Sequence, residues 1–154
     1  MTLALEIPGC APLELHWLLL DVNGTLSDRG RLVDGVAERL AGLRTSLEPL
    51  LLSADTFSTL AAIREQLALP AQVAPSREEK LAVLRELGPD RCAVVGNGSN
   101  DAAILAEAAL GIAVIGPEGV SSAALAAADL VCRSVLDALD LLADPRALSA
   151  TLRA

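Results

Sequence analysis

From residue 13 onward, short apolar runs that end in polar or glycine residues alternate with amphipathic segments of about three turns. This is the pattern of repeated βα units around a parallel sheet. The first run, 15–20, is apolar on consecutive positions rather than alternate ones, which predicts a central strand covered on both faces. Further strands are expected at 50–52, 72–74, 92–95 and 112–115, with a weaker one at 130–131. Val33, Val36, Ala37, Leu40 and Leu43 form a helical stripe, and Asp55 is placed to cap a helix over 56–67. Ser76-Arg77-Glu78-Glu79 is a capping box that opens a helix through residue 87, where Gly88-Pro89 stops it. Ser99 is expected to cap a helix running to about residue 110. The alanine-rich run 123–128 suits another helix, and the tail after Pro145 one more. The stretch 2–7, followed by Pro8-Gly9, predicts an edge strand or hairpin arm added to the sheet. Without repeats or linkers, the expected architecture is one α/β domain over 1–154: a doubly wound, Rossmann-like parallel sheet flanked by helices, its core at about 15–142.

Composition narrows the function. At 154 residues and 53% hydrophobic content the chain can bury a sizeable core, almost all of it aliphatic, since it holds one Trp, one Phe and no Tyr. Platforms for base stacking are therefore missing. A formal charge of -8 without a basic run argues against nucleic acid and anionic membrane surfaces as partners. Cys10, Cys92 and Cys132 show neither CxxC spacing nor a histidine cluster, and read as buried, reduced thiols of a cytoplasmic protein. Neither a leader pattern nor a membrane-length apolar run is evident. The sequons at Asn23 and Asn97 are accordingly read as accidental. Lone His16 reads as a packed or surface residue and Trp17 as core.

Four polar features fall at or just after expected strand ends: Asp21, Ser53, Lys80 a little inside a helix start, and the loop Gly96-Asn97-Gly98-Ser99-Asn100-Asp101. In an open parallel sheet, ligands bind beyond the carboxyl ends of the strands. Asp21, followed by Val22-Asn23-Gly24-Thr25-Leu26, can act as a nucleophile on phosphorus and as a magnesium ligand, with amides of the glycine turn holding phosphate oxygens. Equally, Asn-Gly is a tight-turn signal and Asp21 can simply end a strand. Ser53 offers a hydroxyl to a phosphate oxygen or caps a turn. Lys80 lies in a first helical turn, where the dipole disfavours a cation by roughly 0.3–1 kcal/mol, so a compensating anion is expected unless the side chain is simply exposed.

In this order the motifs resemble those of the haloacid dehalogenase superfamily, over residues 15–142. The nearest likeness is to soluble relatives of the phosphorylation domain of P-type ATPases, where Ser53-Ala54-Asp55 matches a Thr-Gly-Asp element. Gly111-Ile112-Ala113-Val114-Ile115-Gly116 and Ala128-Asp129-Leu130-Val131 look like that family's closing strands. The resemblance implies Asp21 as nucleophile and magnesium ligand and Ser53, Ala54, Gly24, Thr25 and Lys80 around the phosphoryl group. It also implies a carbonyl of Asn23 as a further ligand, and Asn97 and Asp101 as metal-supporting residues. Only 32 positions separate Asp21 from Ser53 and 27 separate Ser53 from Lys80, too few for a cap domain.

Two positions depart from that pattern. Asn23 stands where the family carries the acid that protonates the leaving group, and Asn97 where it carries a metal-binding carboxylate. General acid–base help is worth ~10²–10⁴-fold, so the leading expectation is a weak magnesium-dependent phosphatase acting on acyl or aryl phosphates of a small substrate or a phosphoprotein. The alternative is a phospho-accepting or non-catalytic regulatory domain with a degenerate site, and a third reading is a plain interaction module. Because Asn23 and Asn97 each precede glycine, deamidation would regenerate the usual motifs and mimic activity. An open site also suggests completion by a partner or by a homo-oligomer.

Overall fold

Leu18, Leu19 and Leu20 are fully buried, and their alternation sets the layers of the molecule. The computed structural model describes residues 1–54 and 58–154. The three leucines lie on β3 (Trp17–Asp21), which pairs in parallel with β6 (Glu48–Ser53) on one side and β8 (Cys92–Gly96) on the other. Beyond β6 lies β7 (Ala71–Val73); beyond β8 lie β9 (Leu110–Val114) and then β10 (Leu130–Cys132). The six-stranded order is β10-β9-β8-β3-β6-β7, with all pairs parallel. The chain first builds outward from β3 to β7, then returns to the other side of β3 at β8, so the crevice between β3 and β8 is the topological switch point.

Leu18 and Leu20 join one apolar cluster, with α1 (Val36–Leu43), α2 (Ser58–Leu67), α6 (Val135–Leu142) and α7 (Pro145–Leu152). Leu19 points the other way, to α3 (Arg77–Leu87), α4 (Ala102–Glu107) and α5 (Ser122–Ala127). Burial of each of these leucines stabilises the fold by roughly 1.5–3 kcal/mol. The period-two alternation that no polar residue reveals in the sequence is thus a division between two equally apolar faces.

The N-terminal arm takes the hairpin form of the two expected, but it is not added to the large sheet as expected. β1 (Leu3–Leu5) pairs antiparallel with β2 (Leu13–Leu15) as a ribbon of its own, separate from the large sheet. A second ribbon, β4 (Ser27–Asp28) with β5 (Arg31–Leu32), was not expected from the sequence. The Ser76 capping box forms with both of its reciprocal hydrogen bonds. The helix expected from Ser99 to about residue 110 is shorter: Ser99–Asp101 is a 3₁₀ turn, α4 ends at Glu107, and Leu110 is drawn into the sheet opposite Ala93. Sheet pairing here overrides a helical stripe that Ala108, Ala109 and Leu110 would have continued. The expected cap at Asp55 and helix start at Thr56 lie outside the described residues.

Trp17 is half-buried rather than core, edge-to-face on His16 at a ring separation of 5.3 Å. His16 itself bonds the Met1 carbonyl at 2.7 Å and lies 3.5 Å from Glu48. The cysteines are all free, but only Cys92 is fully buried, and Cys10 is exposed, contrary to the expectation of three buried thiols. Between β3 and α3 the described chain contains only the β4–β5 ribbon, α1, β6, α2 and β7, with no inserted cap. Among the described residues no helix is long and apolar enough to cross a membrane.

Candidate active site

Asp21 is the last residue of β3, so the strand delivers its carboxylate to the switch-point crevice while Leu18–Leu20 anchor the backbone below it. Its side chain is buried and held at both oxygens: Lys80 Nζ donates to Oδ1 at 2.9 Å, and Thr25 Oγ1 donates to Oδ2 at 3.0 Å. Lys80 is fully buried on the first turns of α3 and also donates to Asp101 Oδ1 at 2.7 Å. The anion that its position demanded is therefore a pair of carboxylates. Asp101 Oδ2 accepts in turn from the backbone amides of Asn97, at 3.2 Å, and Gly98, at 3.0 Å. With both oxygens engaged, Asp101 orients Lys80 and ties down the glycine loop.

The electrostatics follow from this enclosure. Burial pushes the Asp21 carboxyl up from its ordinary 3.8 to about 6, reinforced by the negative Asp101 and opposed by Lys80. Burial alone would lower the Lys80 ammonium, but the charges of Asp21 and Asp101 and the hydrogen bonds to both outweigh it, and its pKa lies above the usual lysine value. At neutral pH the cluster therefore carries a cation between two anions, with a net negative charge facing the crevice.

Asn97 follows β8 directly. Its Nδ2 donates to the Gly119 carbonyl at 3.1 Å, which fixes the amide so that Oδ1 faces Thr25 Oγ1 at 3.2 Å and, beyond it, Asp21. Asp21 Oδ2 and Asn97 Oδ1 thus compete for the one proton of the Thr25 hydroxyl. Asn23 is exposed at the mouth of the loop. Ser53 is buried at the carboxyl end of β6 next to β3, and half-buried Ala54 follows it.

One expectation needs correction. The amides of Gly24 and Thr25 are directed into their own loop, to the carbonyls of Ser27 at 3.0 Å and Val22 at 3.2 Å, because the turn closes on itself. They are not presented to a phosphate; the Thr25 hydroxyl and Lys80 are what this loop and its neighbour turn toward Asp21.

A divalent cation fits the donor set. Asp21, the Asn97 amide oxygen and the backbone carbonyl of Asn23 are hard oxygen donors of the kind magnesium takes, and the surplus negative charge favours a cation. Among the described residues no three His, Cys, Asp or Glu side chains gather into a metal-binding group, so neutral oxygens would have to complete the shell.

The sequence reading missed the segment 116–121, which follows β9 and lies against this loop: Ser121 N donates to the Asn97 carbonyl at 2.8 Å. The strand-end rule, applied to β9 as well, would have pointed to Glu118.

Known proteins carry the same architecture. No protein-family model matches the sequence. The chain is 42% identical over 78 residues to an uncharacterized protein of Methanocaldococcus jannaschii, a match covering 48% of this chain and 84% of that one. Among solved structures, a putative HAD family hydrolase from Streptomyces avermitilis matches with a TM-score of 0.69 and 25% identity, covering 90% of this chain and 87% of the other. The 3-deoxy-D-manno-octulosonate 8-phosphate phosphatase of Moraxella catarrhalis, in complex with magnesium, phosphate and KDO, matches with a TM-score of 0.69 and 17% identity, over 90% and 94%. A zinc-transporting PIB-type ATPase gives a TM-score of 0.65 and 26% identity over 78% of this chain and 20% of the transporter.

Proposed function

We propose, from the premise that this chain belongs to the haloacid dehalogenase superfamily and to one family with the Methanocaldococcus protein, that it is a magnesium-dependent phosphatase in which Asp21 accepts the phosphoryl group. The observation that carries this reading is the buried Asp21 carboxylate, oriented by Lys80 and Thr25 at the switch point of the sheet. An Asp21 oxygen forms a bond to phosphorus while the bond from phosphorus to the leaving oxygen breaks, and the leaving group departs with the electron pair. Water then attacks the phosphorus, the bond from phosphorus to Asp21 breaks with its electron pair returning to the carboxylate, and the water's proton passes to the released phosphate or to bulk water. Lys80 neutralises the carboxylate and holds it in line, and Ser53 and the Thr25 hydroxyl flank the incoming phosphoryl oxygens. Asp21, the Asn23 carbonyl and the Asn97 amide oxygen would hold the cation, with Asp101 supporting them through Lys80 and the loop. When bound, the metal offsets charge on the phosphoryl oxygens.

The Asn23 amide can neither protonate a leaving group nor activate water. Turnover is therefore slow and favours acyl and aryl phosphates, which leave without a proton. The Moraxella phosphatase supports a small phosphorylated substrate; the uncapped rim leaves room for a phosphoprotein, or for specificity supplied by a partner or a sister subunit. Free cysteines support a cytoplasmic setting.

An aryl-phosphate assay with and without magnesium tests the reading. Asp21→Asn should abolish turnover, and Asn23→Asp should raise it by ~10²-fold or more. Activity that survives Asp21→Asn refutes it. Because the Asn23 amide offers no base for the second step, a second reading is also favoured, in which the phosphoryl group persists on Asp21 as a regulatory mark. Acid quench after incubation with acetyl phosphate, then intact-mass measurement, should show one added phosphoryl group; an unmodified mass rules the mark out.

A further inference from the structure

Strands β3, β6 and β8 all contribute to the site, and β9 ends on the same rim. Its following loop, Gly116-Pro117-Glu118-Gly119, passes so close to the nucleophile loop that a Cβ on Gly116 would fall 1.9 Å from the Gly24 carbonyl. Gly24 has a φ of +75°, and a Cβ built there would lie 2.6 Å from Glu118 Oε2 and 2.9 Å from Asn97 Nδ2. The Glu118 carboxylate and the Asn97 amide therefore flank the same missing side chain. The contact is not incidental to a wandering loop, because the segment is attached to residue 97 twice, through Gly119 O to the side chain and through Ser121 N to the backbone.

We propose that Glu118 supplies, across Gly24, the negative charge that Asn97 lacks, and so acts as a positioning residue for the cation held by Asp21 and the Asn97 amide. The inference rests on the magnesium reading above and deepens it. The physical reason is a trade. An amide at position 97 keeps its oxygen on the Asp21 side and gives an N–H donor to Gly119 O, beside a carboxylate that it does not repel. The Asn97→Asp variant would turn an oxygen toward the Gly119 carbonyl and place a second anion beside Glu118. Charge at position 97 and charge at position 118 are then alternatives, and this chain uses the second.

The test is titration calorimetry of magnesium on the full chain, for the wild type, Glu118→Gln, Asn97→Asp and the double variant, with thermal melts of each in chelator. Glu118→Gln is expected to weaken magnesium binding about tenfold, the low end of what residues outside the ligand set contribute, because the Glu118 charge acts from an exposed position. Its melting temperature in chelator should stay near that of the wild type, because Glu118 is exposed. Asn97→Asp alone should melt lower than the wild type, and adding Glu118→Gln should restore both the melting temperature and the affinity. Wild type and Glu118→Gln binding magnesium with equal affinity would overturn the proposal while leaving the metal reading intact. A wild type that binds no magnesium overturns both.

Discussion

Lys80 concentrates the energetics of the site in one side chain. Fully buried between Asp21 and Asp101, it makes the enclosure of both carboxylates tolerable. Removing one member of a buried ionic cluster typically costs ~3–5 kcal/mol, because the remaining charges stay desolvated and unpaired. Lys80→Ala is accordingly expected to lose about that much in a urea melt at neutral pH, and Asp101→Asn added to it should recover part of the loss by removing one of the two stranded anions. An unchanged midpoint for Lys80→Ala would show that the cluster hydrates freely. Asn23 and Asn97 also differ at this scale. The Asn97 amide is buried and held at Nδ2 by the Gly119 carbonyl, whereas the following glycine nitrogen is hydrogen-bonded at both sites, Gly98 to Asp101 and Gly24 to Ser27. Asn23 is exposed and its side chain is not held in that way, so peptide mapping of aged protein should find deamidation at Asn23 well before Asn97. Lys80 was legible in the sequence because a cation in a first helical turn is out of place. Glu118 was not, because only the approach of Gly116 to Gly24 gives it a neighbour, and no local pattern encodes that approach.

At the scale of elements, the capping box of α3 fixes where that helix begins and hence where Lys80 enters the crevice, four residues after Ser76. Ser76→Ala is expected to cost about 1 kcal/mol of stability, as N-cap losses generally do, measured by chemical denaturation. A cost near zero would mean that tertiary packing alone holds the helix start. Strands were readable where the sheet buries both faces: the runs around Leu19, Val94 and Ile112 are apolar throughout and admit few other structures. Boundaries were less readable where two periods coincide. Ala108-Ala109-Leu110 continues a helical stripe equally well as it starts a strand, and pairing with β8 decides the outcome. The β4–β5 ribbon has two residues per strand, too few for any alternation to appear. The loop amides of Gly24 and Thr25 show the same limit in another form. A glycine turn announces itself in the sequence, but whether its N–H groups face outward or close the turn depends on the hydrogen bonds to Ser27 and Val22.

For the whole molecule, the sheet order brings Asp21, Ser53 and Asn97 to one rim, and among the described residues Asp21, Lys80 and Asp101 are the only buried charges. That separation explains why a chain of formal charge -8 can still bury Lys80 with two aspartates: the cost is confined to one edge of the core. The N-terminal ribbon adds a consequence of a different kind. β2 ends at Leu15 and β3 starts at Trp17, so the ribbon runs into the central strand with only His16 between them. With a single residue as the joint, a displacement of β2 along its own length passes directly to β3, which is held by β6 and β8 on both flanks. The N-terminal arm is thus coupled in series to the strand that presents Asp21, so anything that drags on β2 is felt at that carboxylate.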